Sequence, residues 1–325
     1  MRRREFITML GGTAATWPLT ARAQQAMPVI GLLAPVSMNE ELLGGFRQGL
    51  KRSGFVEGDN VSMLYRFAEN EIAPQLQALA DDLARRRVAV ITTVAVPAAY
   101  AAKNATTTIP VLFVAGEDPV KLGLVASLAR PDGNLTGVNI FANELVTKRL
   151  ALLRELLPTA ARVAVLVDPF NKTSTESTLQ EVESVSRTMS LQIQVLNASN
   201  GREIDAAFAA LERERPDALF VSIGPLFTAR RVQLATLAVH HKIPMTSGNR
   251  QITEAGGLMS YGADITDAFR QLGVYAGRIL KGEKPADLPV VQATKFELVI
   301  NAETARMFNL VVPSSLLATA DEVIE

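Results

Sequence analysis

The stretch from residue 109 to residue 141, IPVLFVAGEDPVKLGLVASLARPDGNLTGVNIF, decides the fold because it joins two strand patterns through a polar segment. Its apolar run at 111–114 predicts a buried parallel strand. The pair Asp118-Pro119 predicts the start of a helix over 120–128, with Asp118 as its cap. A second strand pattern at 135–138 completes one α/β half, so a layered α/β fold is expected.

Strand and helix patterns alternate on both sides of this stretch. Strand patterns precede it at 29–34, 60–67 and 88–93, and others follow it at 162–167, 191–196 and 217–223. Helical patterns separate them, and a long one covers 226–240. Strands that alternate with helices indicate parallel sheets with helices on both faces. The similar spacing before and after the stretch predicts two Rossmann-like lobes.

Composition supports two lobes and limits the partners. The chain has 325 residues, which exceeds the usual size of one compact domain, and 48% of them are hydrophobic. Its 33 basic and 33 acidic residues give no net charge. Such a balance offers no electrostatic reason to expect nucleic acid or an anionic membrane as a partner.

Several classes of chemistry leave no trace in the sequence. Cysteine is absent, which excludes disulfides, thiolate metal sites and cysteine nucleophiles. Phosphate-binding glycine loops and the G-x-S-x-G motif do not occur. The two histidines, His240 and His241, lie at a predicted helix end, where a cation is favoured, and no further ligand has suitable spacing. We therefore expect no catalytic residues, metal or cofactor, and a protein that is not an enzyme.

The amino terminus has the pattern of an export signal. Residues 1–23, MRRREFITMLGGTAATWPLTARA, begin with three arginines and end in an A-x-A cleavage pattern. Arg3-Arg4-Glu5-Phe6-Ile7 resembles the twin-arginine motif, and a signal of the general pathway is the alternative. The apolar segment between is shorter than the roughly 20 residues needed to span a bilayer. With no cysteine to carry lipid, a free periplasmic protein without stable membrane insertion is expected.

Polar and small residues cluster where the predicted parallel strands end. Ligands of open α/β sheets bind outside the carboxyl ends of the strands, and the helices that start there offer free N–H groups to anions. The candidate ligand-binding residues are Ser37, Thr93, Val94, Ala95, Gly116, Glu117, Asp118, Phe170, Asn171, Ile223, Gly224, Asn249 and Tyr261.

Some candidates also have a structural interpretation. Ser37 suits a helix cap as well as a ligand contact, and Asp118 is the better cap of the two. Phe170 and Tyr261 fit either a core or a pocket wall. Glu117 has no comparable structural role and is therefore the strongest candidate for pairing with a ligand ammonium or hydroxyl group.

Several segments in this order resemble one family. They are PVLFV at 110–114 with DPV at 118–120 and GLV at 123–125, ARPDGNLTG at 129–137, AGGLMSYG at 255–262, and FELVIN at 296–301. Together they are similar to the tryptophan/tyrosine-type substrate-binding family of ABC transporters, which belongs to the type I periplasmic binding proteins. The resemblance covers essentially the whole chain after residue 23.

The resemblance implies two lobes joined by a three-crossing hinge, with the ligand between them. The first lobe would comprise 24–140 and 261–288, and the second 141–260 and 289–325. Hinge closure would trap a small organic solute, amino-acid-like or aromatic, and a monomeric protein would pass it to a membrane permease.

Two other functions fit the same residues. A periplasmic sensor would bind a ligand with the same fold and signal to a membrane receptor. An exported α/β hydrolase or isomerase would depend on a carboxylate such as Glu117, Asp168 or Asp264.

Overall fold

The computed structural model describes residues 27–68, 73–142 and 145–325, and the predicted export signal lies outside them. The described residues form two mostly parallel β-sheets with helices on both faces. The predicted α/β class is therefore confirmed.

The first sheet contains six strands in the order β11-β5-β4-β3-β1-β2, all parallel. Its strands are largely apolar runs, as expected for a sheet that helices cover on both faces. They are β1 (Val29–Ala34), β2 (Ser62–Phe67), β3 (Val90–Val94), β4 (Val111–Ala115), β5 (Leu135–Asn139) and β11 (Val291–Gln292).

Helices α1 (Glu40–Arg52), α2 (Ala73–Arg85), α3 (Val96–Ala105) and α10 (Ile265–Leu280) belong with this sheet. Glycines let α1 and α10 pack backbone to backbone. A Cβ on Gly49 would lie 2.0 Å from the carbonyl oxygen of Arg270, and one on Gly273 would lie 2.1 Å from that of Phe46. Any larger residue at these positions would push the two helices apart.

The second sheet contains seven strands in the order β13-β12-β10-β9-β8-β6-β7, parallel except for the pair β10 and β12. They are β6 (Arg162–Val167), β7 (Gln192–Asn197), β8 (Ala218–Val221), β9 (Met245–Ser247), β10 (Met259–Ala263), β12 (Phe296–Asn301) and β13 (Glu322–Ile324). Its helices are α4 (Val146–Leu156), α5 (Lys172–Met189), α6 (Gly201–Glu214), α7 (Pro225–Ala229), α8 (Arg231–His240), α9 (Arg250–Glu254), α11 (Ala302–Met307) and α12 (Ser314–Thr319).

The chain passes between the sheets after β5, after β10 and after β11. Two of these crossings differ from the expected lobe boundaries. Tyr261 was expected in the first lobe, but it pairs with Leu298 in the second sheet. Val291 was expected in the second lobe, but it pairs with Val138 in the first. These two crossings, after β10 and after β11, therefore lie a few residues later along the chain than the resemblance implied.

The predicted helix over 120–128 is wrong. Asp118 does cap a turn, since its Oδ1 accepts a hydrogen bond of 2.9 Å from the N–H of Val120. The turn closes with one helical hydrogen bond, from Leu122 N–H to the Asp118 carbonyl oxygen. Gly123 then adopts a φ of +65°, in the left-handed region, which ends the helix after a single turn.

The predicted helix over 226–240 is also divided. Arg230, with φ −98° and ψ 16°, separates α7 from α8, so that Arg231 begins a new helix. None of the helices in the described residues combines the length and the hydrophobicity of a membrane-spanning segment.

Candidate ligand-binding site

A cleft of about 1120 Å³, counted to its open mouth, lies where the two sheets face each other. Loops that follow strands of both sheets line it, and the second crossing and α10 contribute Ala263 and Phe269. This position agrees with the rule that ligands of open α/β sheets bind beyond the carboxyl ends of the strands.

The wall from the first lobe contains predicted residues at or just after the ends of β1, β3 and β4. They are Ser37, Val94, Ala95, Gly116 and Glu117. Ala95, which precedes α3, has φ 66° and ψ 158°, a region that residues other than glycine rarely occupy. The surrounding packing therefore holds a strained backbone at the edge of the cleft.

The wall from the second lobe contains the predicted residues Asn171, Ile223, Gly224 and Asn249. Asn249 is 8% exposed and has its polar atoms engaged within the protein. Its Oδ1 accepts from the N–H of Gln251 at 2.9 Å, and its Nδ2 donates to Thr228 Oγ1 at 2.7 Å. It caps α9 and shapes the wall.

Four predicted site residues do not line this cleft. Thr93 is buried in the sheet, where its hydroxyl donates to the Leu112 carbonyl oxygen, and Asp118 caps its own turn. Phe170 borders a smaller neighbouring pocket of about 400 Å³. Tyr261 lies in β10 with its ring stacked on Phe296, 6.5 Å between ring centres.

The structure brings polar side chains to the cleft that the strand-end pattern missed. Glu41 lies in the first turn of α1, Arg231 begins α8, and Gln251 lies in α9. Glu41 accepts hydrogen bonds from Gln251 Nε2 at 2.6 Å and from Thr266 Oγ1 at 2.9 Å. The first of these bonds joins a helix of one lobe to a helix of the other.

The two arginines of the cleft have different surroundings. Arg250 contacts three carboxylates, Glu254 and Glu297 at 2.8 Å and Glu322 at 2.6 Å. Burial alone would lower the pKa of Arg250, but the hydrogen bonds to Glu254 and Glu322 outweigh it and raise that pKa above its ordinary value. Its charge is therefore satisfied within the second lobe.

Arg231, in contrast, has no carboxylate within salt-bridge distance in the described part of the chain. Its Nη1 donates to the Thr228 carbonyl oxygen at 3.2 Å. The guanidinium has further donors, and planar forks of this kind suit a carboxylate. This arginine therefore brings positive charge that is available to a ligand.

Two acceptor atoms among the lining residues have no hydrogen-bond partner in the described structure. They are Oδ1 of Asn171 and Oε1 of Gln251, both buried. An unsatisfied buried acceptor costs about 1–3 kcal/mol, which a ligand N–H or O–H would recover. Glu117, 7% exposed, adds a buried carboxylate to the opposite wall.

Beneath the cleft, a buried arginine joins two of the crossing regions. Arg149, 1% exposed, donates from Nη1 to the Ala142 carbonyl oxygen and from Nε to the Tyr261 carbonyl oxygen, both at 2.6 Å. Phe141, which precedes Ala142 in the first crossing, has a φ of 51°. Asn139 Oδ1 accepts from the Phe141 N–H at 2.9 Å, which stabilises this conformation.

The model of the ABC transporter substrate binding protein family matches residues 29–324 of this chain. The chain belongs to this family. It is the substrate-binding protein of an ABC transporter, and its architecture is the type I periplasmic binding protein fold. The resemblance inferred from the sequence is confirmed.

The substrate-binding protein has similar relatives, and two of those described here have a named ligand. A "Tyrosine-binding protein" of Clostridioides difficile is 27% identical over 268 residues, which are 82% of this chain and 76% of that protein. Among solved structures, the ABC domain in complex with L-Trp from Streptococcus pneumonia is 24% identical with a TM-score of 0.82. The ligand-free, open structure of a substrate binding protein from Clostridium difficile is also 24% identical, with a TM-score of 0.63. Both alignments cover 91% of this chain and 99% of the other.

The carboxylates considered for catalysis lie apart in this substrate-binding protein. Asp264 caps α10, accepting from the Asp267 N–H at 2.9 Å, and contacts Lys295 at 3.1 Å. Asp168 borders the smaller pocket and accepts from the Phe170 N–H at 2.9 Å. Burial raises its pKa, although that hydrogen bond lowers it in part. Of the three candidates, Glu117 alone lines the large cleft.

Proposed function

We propose that this protein captures an α-amino acid with an apolar side chain in the cleft and closes around it for delivery to a membrane permease. The observation that carries the proposal is the charge pattern of the cleft. A cation without a carboxylate partner and buried acceptors without donors line a largely apolar space.

The ligand carboxylate would pair with Arg231. Arg231 is the first residue of α8, so the N–H groups at that helix start would add to the attraction for an anion. Arg250 is less suited to this role because three protein carboxylates already surround it.

The ligand ammonium group would be held by acceptors. Asn171 Oδ1 and Gln251 Oε1 each lack a donor, and the Glu117 carboxylate lies in the facing wall. An ammonium group supplies three N–H donors, which this set can accept.

The apolar side chain of the ligand would lie against aliphatic residues. Val94, Val114, Ile140 and Ile223 line the cleft, and Phe269 is the one aromatic residue among the described lining residues. Ligand pockets are typically apolar with a few polar groups that fix orientation. The tyrosine and tryptophan named for the relatives belong to the same chemical class.

The arrangement of the lobes supports hinge closure. Identity and coverage are equal for the L-Trp complex and the open structure, yet the TM-score to the complex is higher. We therefore take the described arrangement as the closed one, with the Glu41–Gln251 hydrogen bond across its mouth.

Calorimetric titration of the mature chain with L-tryptophan, L-tyrosine and L-leucine tests the ligand class. Saturable binding is expected for at least one of them, and loss of binding for the corresponding amine that lacks the carboxylate. Arg231→Gln should weaken binding by about 10- to 150-fold, since a charged hydrogen bond contributes about 1.5–3 kcal/mol. The neighbouring exposed Arg230→Gln is the matched control. Binding that survives removal of the ligand carboxylate and Arg231→Gln alike would falsify the assignment.

We further propose that the chain is exported to the periplasm as a monomer after cleavage near Ala23 and that it does not catalyse a reaction. The pattern in residues 1–23 supports export, and the family supports binding rather than catalysis. Mass spectrometry of protein released from the periplasm should show a chain that begins at Gln24. Recovery of an uncleaved cytoplasmic chain would contradict this part of the proposal.

A further inference from the structure

A second cluster of chemically active side chains lies outside the cleft. His240 and His241 are the two histidines of the chain, and the fold brings Glu212 of α6 beside them. One potential ligand atom from each of the three residues lies within 4.8 Å of the others. Sequence spacing did not predict this group, because its third member belongs to another helix.

The distances within the cluster suit a small transition-metal ion. His241 Nδ1 lies 3.2 Å from Glu212 Oε1. Bonds of about 2.0–2.1 Å at tetrahedral angles place two ligand atoms roughly 3.3–3.4 Å apart, so this pair already has nearly the required separation. The His240 ring stands edge-on to the His241 ring, 4.9 Å between centres, and His240 is exposed.

The surroundings favour a positive ion. His240 is the last residue of α8, and Glu212 lies in the last turn of α6. The carbonyl ends of both helices therefore meet at the cluster, and such ends attract cations. The two helices are also packed together, since Phe208 of α6 and Ala238 of α8 share one hydrophobic cluster. Phe208 packs beside the His241 ring at 5.7 Å between centres.

We propose that Glu212, His240 and His241 form a surface site for a divalent transition-metal ion of the zinc class, with water in the remaining position. Two imidazoles and one carboxylate favour zinc, nickel or copper over magnesium or calcium, which prefer oxygen ligands. The site lies at the far end of α8 from Arg231, about 15 Å along a ten-residue helix, and is separate from the cleft.

Calorimetric titration of Zn²⁺ into the full mature chain, purified without a histidine tag and freed of metal, tests the site. One-to-one saturation and a rise in melting temperature are expected, because binding to the native state alone stabilises it. Glu212→Gln and His240→Gln should each weaken binding by at least about tenfold. Glu214→Gln, an exposed change in the same helix, should leave binding unchanged.

Both substituted side chains are exposed, so equal melting temperatures without metal will show that the variants fold. Absence of saturation in the native sequence below ~1 mM Zn²⁺ overturns the proposal. Equal affinity in the Glu212→Gln and His240→Gln variants does so as well, because it locates the metal elsewhere. The cluster is then only the 3.2 Å contact between His241 Nδ1 and Glu212 Oε1.

Discussion

Removal of the Glu41 side chain should shift the protein away from the arrangement that we propose to be closed. Glu41 accepts hydrogen bonds from Gln251 Nε2 at 2.6 Å and Thr266 Oγ1 at 2.9 Å, and the bond to Gln251 joins the two lobes. Gln251 is 5% exposed. Its amide must therefore find another partner when the lobes open or when the Glu41 side chain is removed. Thr266 lies in the same lobe as Glu41, so its bond does not distinguish the two states.

The magnitude follows from the one bond that is specific to closure. A hydrogen bond to a charged group contributes about 1.5–3 kcal/mol, and the exposure of Glu41 reduces this to about 1–2 kcal/mol. If only the closed state retains ligand, Glu41→Ala should weaken apparent affinity by about 5- to 30-fold. The apparent affinity of Glu41→Gln, which keeps an acceptor oxygen, should lie between those of the native sequence and Glu41→Ala. Melting temperature without ligand should change little.

Stopped-flow dissociation and calorimetry measure this effect, with Glu40→Gln as the control. Glu40 is adjacent but pairs with Arg47 and does not line the cleft. Loss of closure should weaken every bound ligand by the same factor and appear mainly as faster release. A loss that differs strongly between ligands would instead show direct contact with the ligand, and unchanged dissociation would refute the role in closure.

Three further predictions concern stability. Gly49→Ala should lower stability in urea denaturation by about 2 kcal/mol or more, because its Cβ would lie 2.0 Å from the Arg270 carbonyl oxygen. Gly44→Ala in the same helix has no atom within 4 Å of the new Cβ and should stabilise by about 0.5–1 kcal/mol, so equal effects would contradict the packing argument. Arg149→Met should cost about 2–4 kcal/mol in the same assay, since two buried carbonyl oxygens lose their donor; no change would show that they find other donors. Burial raises the folded-state pKa of Asp168 above 3.8, so the stability linked to its protonation is full below 3.8 and is lost as pH rises through the higher value. The free energy of unfolding of Asp168→Asn minus that of the native sequence should therefore be larger at pH 7 than at pH 4. A difference that does not change with pH would contradict the raised pKa.

The sequence predicted the sheets well because buried parallel strands are nearly continuous apolar runs. The patterns at 111–114 and 162–167 correspond to β4 and β6 for this reason. The prediction of a helix at 120–128 rested on its apolar pattern. It failed because Gly123 adopts a left-handed conformation, which ends the turn. Local composition could not show whether the apolar pattern or the glycine decides the structure of this segment.

The same contrast holds in the cleft. Ser37, Glu117 and Asn171 line it because strand ends of parallel sheets meet at one edge, and that rule needs only the order of elements. Glu41 and Gln251 enter from helices of different lobes, 210 residues apart in the chain. Their approach depends on how the lobes close, which no local pattern encodes. Whether these residues contact ligand stays a prediction.

The position of α10 and β11 has a consequence for the order in which the molecule is made. Both complete the first lobe, α10 by close packing on α1 and β11 by pairing with β5, yet they follow most of the second lobe along the chain. A growing chain that has left the ribosome only as far as residue 260 therefore has a first sheet without its edge strand and an α1 with its glycine face uncovered. The amino-terminal lobe, although begun first, is finished late, after residue 292 has emerged.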